Sequence, residues 1–196
     1  SPTRPDESAP IDPTSPFGTA LATIERRARA IGRDRDIPVA LIRLASVLGP
    51  HVPSPLGRLL RLPAVPFSLL ADAPFTVVED EDSARAFVAA AERRLDGPVN
   101  VTAEGAITAL QAIRRGGKLP IPLIGPEWMI ARRWAELLGA PVPDHVLETL
   151  QRGRLADNRS MTDLLGFEAS STTVDVVDRM FNWPSVIHIA ARQQVA

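Results

Sequence analysis

The pattern of apolar residues at the start of the chain predicts a helix followed by a strand. Apolar side chains recur with helical spacing at Leu21, Ile24, Ala28 and Ile31. Ser15 and Pro16 precede them with the chemistry of a helix start, so we predict a helix from Pro16 to about Ile31. The next run, Ile37–Val47, is almost continuously apolar and β-branched, as in a strand buried on both faces of a parallel sheet. A helix followed by such a strand indicates the α/β class.

The middle of the chain continues this alternation. Leu48-Gly49-Pro50 is expected to end the first strand and to begin a proline-rich loop through Pro66, interrupted by a short apolar segment at Leu56–Leu62. The further elements expected here are a strand at 75–78, a helix from Asp82 or Ser83 to about 95, a strand at 99–101 and a helix at about 106–115. This order is again that of an α/β fold.

The two ends of the chain differ from the middle. Residues 1–16 contain five prolines and are expected to run as an extended surface segment without internal hydrogen bonds. From Pro120 onward the pattern is mainly helical, with helices predicted at about 127–138, 144–150 and 173–181.

Composition narrows the possible functions and locations. The net charge of −1, from 22 basic and 23 acidic residues, provides no general attraction to nucleic acid or anionic lipid. The chain has no cysteine, which excludes disulfides and thiolate chemistry. No apolar run reaches the ~20 residues of a membrane span, and the first residues lack the order of a signal peptide. We therefore expect a cytoplasmic protein without a membrane span.

Six short segments, taken in order, carry a resemblance to a known family. They are Pro5-Asp6-Glu7, Ser15–Leu21, Arg43–Pro50, Val77–Ala86, Gly97–Val101 and Leu165-Gly166-Phe167. They resemble the segments that follow the dinucleotide-binding half in the extended short-chain dehydrogenase/reductase family, the NAD-dependent sugar epimerases and dehydratases. The resemblance extends over essentially the whole chain, which would be the carboxyl-terminal part only of such a protein.

The resemblance implies an architecture and a cofactor. Residues 1–118 would form the last strands and helices of a Rossmann-type parallel sheet, with a substrate loop at about 50–75. Residues 119–196 would form a mainly helical substrate-binding lobe. NAD or NADP would be held by the amino-terminal half of the complete protein, because this chain has no Gly-x-Gly-x-x-Gly turn and by itself need bind no cofactor. The exposed sheet edge would require a partner, either that other half or a second copy of the chain.

Two positions depart from the family pattern. Where the resemblance places a catalytic Tyr and Lys, this chain has Phe17 and Leu21, and it contains no tyrosine at all. In the family the Tyr exchanges a proton with the substrate and the Lys lowers the pKa of the Tyr, and neither replacement does this. Two hypotheses follow. The chain is part of an enzyme that acts on a nucleotide sugar or related small molecule with another acid or base, or part of an inactive pseudoenzyme that senses a ligand or binds a protein.

The candidate residues for substrate or cofactor binding lie at the end of the first predicted strand. They are Ala45, Ser46, Gly49, Pro50 and His51. Ligands bind outside the carboxyl ends of strands in open α/β sheets, which favours these positions. The simpler alternatives are that Ser46 caps the strand and that His51 is an exposed loop residue.

Other charged residues have two interpretations each. The acidic run Glu79–Asp82 could supply oxygen ligands to a metal ion, or it could cap and stabilise the positively polarised amino end of a helix. The helix role is favoured. Arg43 binds a phosphate or forms an internal ion pair, and again the structural role is favoured. The three histidines, His51, His145 and His188, lack metal-ligand spacing, so no metal site is expected.

Overall fold

The structure is a computed structural model that describes residues 4–124, 127–137, 139–140 and 142–183. Within 127–137, side chains are described from residue 131 onward. The helices are α1 Pro16–Arg35, α2 Pro55–Leu60, α3 Asp80–Glu92, α4 Ala109–Arg115, α5 Glu127–Leu137, α6 Asp144–Arg152 and α7 Thr173–Met180. The strands are β1 Ala40–Leu44, β2 Ser46–Leu48, β3 Ala64–Ser68, β4 Val77–Glu79, β5 Gly97–Val101 and β6 Leu119–Leu123. A π-helical turn, Met161–Leu165, precedes α7.

The six described strands form three parallel pairs. β1 pairs with β5, β2 with β4, and β3 with β6. Parallel strands need crossover connections, and α3 connects β4 to β5 while α4 connects β5 to β6. The α/β class predicted from the sequence is confirmed.

The predicted strand Ile37–Val47 forms two strands with different partners. After β1 has run beside β5, the Ala45 N–H still donates to the Val101 carbonyl at 3.0 Å. From Ser46 onward the chain, now β2, runs beside Val77 and the rest of β4. All residues of β1 are half-buried although α3 packs against it, so the described part of this chain does not by itself bury both faces of the strand.

The region from Pro50 to Pro66 is more regular than the predicted loop. α2 begins after Ser54, whose hydroxyl oxygen accepts from the Gly57 N–H at 3.3 Å. β3 follows and pairs with β6, and the sequence pattern predicted neither of these strands.

Prolines are the reason that the sequence pattern does not predict these two strands. Three lie inside them, at Pro66, Pro120 and Pro122. The Leu119 N–H donates to the Pro63 carbonyl at 3.0 Å and the Leu69 N–H to the Leu123 carbonyl at 3.1 Å. N–H directions alternate along a strand, so the odd-numbered residues donate to the partner strand. The prolines are all even-numbered, and their backbone nitrogens point away from the partner strand. The absent N–H groups therefore cost the pairing nothing.

Two clusters of buried apolar side chains form the core. The larger joins α2, β3, α4, α6 and α7 around Phe75 and Leu59. The smaller packs α3 and the π-helical turn against β5, through Ala86, Val99, Met161 and Leu165. Among the helices that the structure describes, none combines the length and apolar character needed to cross a bilayer.

Helix α1 contacts the rest of the protein through a polar face. Its start is capped as predicted, since the Ser15 hydroxyl oxygen accepts from the Gly18 N–H at 3.2 Å. The Glu25 carboxylate accepts from the Arg43 guanidinium at 2.7 and 3.1 Å and from Arg29 at 2.8 Å. Large apolar side chains on α1 stay exposed, at Phe17, Leu21, Ile24 and Ile31. Three residues of the predicted stripe, Leu21, Ile24 and Ile31, are therefore exposed, whereas Ala28 is half-buried, and Arg43 forms the internal ion pair.

The amino-terminal segment is held in place by side-chain hydrogen bonds. The Glu7 carboxylate accepts from the Asn100 N–H at 2.7 Å and from the Ser160 hydroxyl at 2.8 Å. The Pro5 carbonyl accepts from the Asp157 N–H at 2.9 Å. Glu7 thus supplies an acceptor to an outer N–H group of β5. Within the segment, the Ala9 N–H donates to the Asp6 carbonyl at 3.2 Å and the Ser8 N–H to the Asp6 carboxylate at 2.9 Å, so the expectation of no internal hydrogen bonds is wrong.

The remaining elements lie where they were predicted, with shifted ends. α3 begins at Asp80, before both predicted capping residues. α4 begins after Thr108, whose hydroxyl oxygen accepts from the Gln111 N–H at 3.3 Å. The division of the chain after residue 118 stays a prediction, and β6, which follows it, pairs with β3.

Phe75→Ala tests the larger core cluster. Phe75 is 0% exposed, so we expect the free energy of unfolding to fall by about 3–5 kcal/mol. The matched control is Phe87→Ala on α3, where the ring is 55% exposed and the change should stay within about 0.5 kcal/mol. Urea unfolding followed by circular dichroism measures both. Equal losses for the two variants would contradict the burial of Phe75.

Glu25→Gln tests the attachment of α1. Hydrogen bonds from Arg43, and then from Arg29, hold the pKa of Glu25 below its ordinary value of 4.5. A lowered folded-state pKa stabilises the protein above about 4.5, and this contribution is lost as the pH falls through the folded value. At pH 7 the variant should be less stable by about 1 kcal/mol, and the gap should close as the pH falls through the lowered folded-state pKa of Glu25. A gap that urea unfolding finds independent of pH would contradict the ion pair.

Candidate functional site

The carboxyl ends of β2 and β4 meet at one edge of the structure. β2 ends at Leu48 beside Glu79, the last residue of β4. The chain after β2 turns at Gly49-Pro50-His51, and the chain after β4 enters α3 at once with Asp80. Because parallel strands end at the same side, the turn and the start of α3 lie against each other. This edge contains three of the five candidate binding residues.

A buried carboxylate holds the turn and the His51 ring. Oδ2 of Asp80 accepts from the His51 backbone N–H at 3.0 Å and lies 3.0 Å from His51 Nδ1. Oδ1 of Asp80 accepts from the Glu81 N–H at 3.0 Å. The Asp80 side chain is 7% exposed and the His51 side chain 71%. Since a carboxylate only accepts hydrogen bonds, this arrangement favours a proton on Nδ1 and leaves Nε2 as an acceptor toward solvent.

Gly49 makes this approach possible. A Cβ atom added at Gly49 would overlap the carboxyl group of Asp80. The residue is buried, so the carboxyl group fills the space that any other side chain would need. A glycine here is required by the close approach of Asp80.

A shallow, open depression with a cavity volume of about 40 Å³ adjoins the turn; it is called the pocket below. Gly49 and Val52, which flank the Pro50-His51 tip, form part of its wall. Its lining also includes Arg58, Arg61 and Trp183. The Arg61 guanidinium donates to the Trp183 carbonyl, whereas the Arg58 side chain has no hydrogen-bond or ion-pair partner in the part of the chain that the structure describes. The pocket can therefore attract an anion and offer an aromatic face.

The other two candidate binding residues lie further from the pocket. Ala45 is the point where the chain changes strand partner, and Ser46 is the first residue of β2, half-buried beside Val77. Among the described residues, Gly49 is the one candidate in the pocket lining; Ala45, Ser46, Pro50 and His51 are not part of it. A ligand role for these two positions stays a prediction.

Phe17 and Leu21 lie on the exposed side of α1. They are 42% and 47% exposed, and the Phe17 ring stacks on the ring of His145 with 4.4 Å between centroids. Burial, and then the charge of Arg154, lower the pKa of His145. The Thr14 hydroxyl donates to Glu148, one turn along α6, and holds the pKa of that carboxyl low. The structure therefore places an imidazole, which sequence analysis had not singled out, against Phe17.

The acidic run Glu79–Asp82 divides among separate partners. Glu79 accepts from Arg179 at 2.6 Å, and Asp82 accepts from Arg85 and from Ser170 at 2.8 Å. Asp80 binds the turn described above. Within the described ranges no three acidic or histidine side chains converge on one point, and His188 lies outside those ranges. These carboxylates serve structural contacts around the start of α3.

Sequence analysis did not find the most specific parts of this edge. Asp80 was part of an acidic run with no sign of its link to His51, 29 residues earlier. Arg58 and Arg61 lay in a segment interpreted mainly as loop, and Trp183 lies more than a hundred residues beyond them. Only the helical spacing of Leu56, Leu59 and Leu60 could have indicated α2 and the side on which its arginines lie.

Comparisons with curated proteins find relatives of greater length. Uncharacterized proteins from two strains of Mycobacterium tuberculosis and from Mycobacterium bovis are each 34% identical to this chain over 165 residues. The alignment covers 81% of this chain and 43% of each relative, so the chain spans less than half of their length. No family model matches the sequence.

Comparisons with solved structures identify the fold. UDP-glucuronic acid 4-epimerase from Bacillus cereus, with UDP-glucuronic acid and NAD, aligns with a TM-score of 0.69 at 16% identity, covering 93% of this chain and 56% of that chain. dTDP-glucose 4,6-dehydratase from Bacillus anthracis, in complex with NAD, aligns with a TM-score of 0.66 at 15% identity over 93% of this chain and 56% of that chain. The chain has the α/β fold of the carboxyl-terminal part of these Rossmann-type proteins, which confirms the fold expected from the resemblance.

Gly49→Ala tests the close approach of Asp80. The added methyl group must displace a buried carboxyl group, so we expect the free energy of unfolding to fall by about 1–3 kcal/mol. Gly57→Ala in α2 is the matched control, since its Cβ would find ordinary contacts at 3.4 Å or more. There the gain in helix propensity should offset any loss. Equal unfolding midpoints in urea for the two variants would contradict the contact between Gly49 and Asp80.

Proposed function

We propose that this chain is the carboxyl-terminal portion of an NAD(P)-dependent epimerase/dehydratase-like protein and that it binds a nucleotide sugar or a related small molecule. The observation that carries the proposal is the shared fold, which extends over 93% of the chain in structures of nucleotide-sugar epimerases and dehydratases. Two of these neighbours are complexes with UDP-glucuronic acid and with UDP-glucose. The pocket beside the β2 turn is the proposed binding site.

The chemistry of the pocket supports an anionic ligand with an aromatic group. Arg58 and Arg61 present guanidinium groups, which form charge-assisted and often bidentate hydrogen bonds with phosphate oxygens. The Trp183 side chain offers an indole for contact with a nucleobase. The site lies outside the carboxyl ends of parallel strands, where ligands bind in open α/β sheets.

We infer that residues outside this sequence supply the cofactor site and cover α1. The chain spans 43% of its curated relatives, and its fold corresponds to 55–58% of the neighbouring structures. The exposed apolar residues of α1 and the side of β1 away from β5 are the surfaces on which an amino-terminal Rossmann-type half would pack. NAD or NADP would be bound by that half, and a second copy of this chain is the other partner for these surfaces. A cytoplasmic location belongs to the same proposal.

A catalytically inactive protein is the second candidate. Phe17 and Leu21 occupy the positions that the resemblance assigns to the Tyr and Lys of the family, and neither side chain exchanges a proton. In this form the pocket would bind its ligand without turnover, as a sensor or a protein-interaction module. Hydride transfer from a nucleotide sugar to NAD, assayed in the longer parent protein, separates the candidates. Turnover supports the enzyme, and ligand binding without turnover supports the inactive form.

Titration of this chain with UDP-glucose in a calorimeter tests the pocket. We expect binding, and Arg58→Ala should weaken it by about tenfold to a hundredfold, because one charged hydrogen bond to phosphate is lost. Arg27→Ala on the exposed side of α1 removes the same charge away from the pocket and should leave the Kd unchanged. Equal effects of the two substitutions, or no binding by the unmodified chain, would contradict the proposed site.

A further inference from the structure

The side of β1 that faces away from β5 has unpaired backbone N–H groups. The Val39 carbonyl and the Ala45 N–H both bond to β5 at 3.0 Å, so the odd-numbered residues of this segment face β5. Backbone groups alternate in direction along a strand, so the even-numbered residues point away from β5. They are Ala40, Ile42 and Leu44. Within the described ranges none of their N–H groups has an acceptor, and this side of the strand is called the β1 edge.

Two other outer edges of the structure are closed. On the outer side of β5, Pro98 has no N–H, and the Asn100 N–H donates to the Glu7 carboxylate at 2.7 Å. On the outer side of β6, both outward positions are prolines, Pro120 and Pro122. Proteins use proline and charged side chains in this way to prevent unwanted pairing at sheet edges. The β1 edge carries no such block, so it can accept a further strand.

Helices α1 and α3 lie on opposite faces of β1. The Arg43 side chain donates to Glu25 on α1 at 2.7 Å. The Ile42 and Leu44 side chains pack against the cluster that includes Ala86 of α3. Because successive side chains of a strand point to opposite faces, one helix lies on each face of the strand. Helices on both faces are typical of a parallel sheet.

Helix α3 also has an exposed apolar face. Phe87 and Val88 are 55% and 57% exposed, and Ala84 and Ala91, one turn before and one turn after them, are exposed as well. Their spacing places all four residues on one side of the helix. Together with the exposed apolar residues of α1, they leave apolar surface on both helices that flank β1. Exposed apolar surface of this kind marks an interaction site.

We propose that the β1 edge binds one β-strand of the amino-terminal half of the longer parent protein, parallel to β1 and apolar on both of its faces. The inference rests on the proposed function, which places that half outside this sequence. The added strand would pair with the outward backbone groups of β1, and the apolar faces of α1 and α3 would pack on the layers that accompany it.

The position of α1 favours this occupant over a second copy of the chain. Helix α1 leads into β1 and lies on one face of it, and a strand that precedes such a helix returns beside the next strand in parallel, through a right-handed crossover. A second copy related by a two-fold axis would present its own β1 in the antiparallel direction. The curated relatives, of which this chain spans 43%, are long enough to supply the strand.

Amide hydrogen exchange followed by NMR tests the β1 edge in this chain. The Leu41 and Arg43 amides bond to β5, and we expect them to exchange about a hundredfold more slowly than the Ile42 and Leu44 amides. Sedimentation of the same sample gives the oligomeric state. Slow exchange of Ile42 and Leu44 in a monomer would show a closed edge and overturn the inference. Slow exchange in a dimer would assign the edge to a second copy and overturn it equally.

The same measurement in the longer parent protein tests the occupant. There we expect the Ile42 and Leu44 amides to exchange about a hundredfold more slowly than in this chain, because a strand now accepts from them. Fast exchange of both amides in the folded parent would overturn the inference.

A pair of variants at Ile42 separates the backbone contact from the side chain. Ile42→Pro removes the outward N–H, and Ile42→Ala shortens the side chain but keeps the N–H. In this chain the two variants should unfold at the same urea concentration, since proline is tolerated on an open edge. In the parent, Ile42→Pro should unfold at a clearly lower concentration, or fail to fold, since it removes a ladder hydrogen bond. Equal midpoints in the parent would contradict the added strand.

The calorimetric titration with UDP-glucose keeps this inference distinct from the proposed ligand. Slow exchange at the β1 edge of the parent, without binding of UDP-glucose, would support the added strand and contradict the proposed ligand. Binding of UDP-glucose together with fast exchange of Ile42 and Leu44 in the parent would overturn the added strand alone.

Discussion

The change of strand partner at Ala45 is the constraint on which the rest of the structure depends. The continuous segment that forms β1 and β2 pairs first with β5 and then with β4. Two separate parts of the sequence therefore lie beside its first and second halves. The second pairing sets the end of β2 beside the end of β4, and this alone places Gly49 and His51 against Asp80. With a single partner along its whole length, the strand would not meet the start of α3 in this way.

The large apolar residues of helix α1 are exposed, although an amphipathic helix usually buries them. Its Glu25–Arg43 ion pair lies against the described body of the protein, and its large apolar residues face outward. Exposed apolar surface of this extent marks an interaction surface. A helix that contacts its own domain through polar groups and presents apolar groups outward is suited to lie between two layers. This agrees with the proposal that a further part of the fold packs on α1.

The electrostatics of the site depend on which charges are already paired. Glu79 and Asp82, at the start of α3, form ion pairs with Arg179 and Arg85, and Asp80 accepts hydrogen bonds from the His51 turn. Arg58 remains without such a partner among the described residues and lies in the pocket wall. The edge therefore has a basic wall and a single oriented imidazole.

The amino-acid sequence determined the local features of this protein, and the tertiary structure decided the rest. Apolar periodicity and the Ser15 cap were sufficient for α1, and alternation with the strands was sufficient for the α/β class. The ordered motifs were sufficient for the Rossmann-type fold. Sequence analysis did not predict the strand at Pro120, because a proline is tolerated only when its nitrogen points away from a partner strand, and the sequence does not show that partner. It did not predict the link between His51 and Asp80, because these distant segments meet through the pairing of β2 with β4. Periodicity identifies the residues that share a face, but only packing decides what that face contacts.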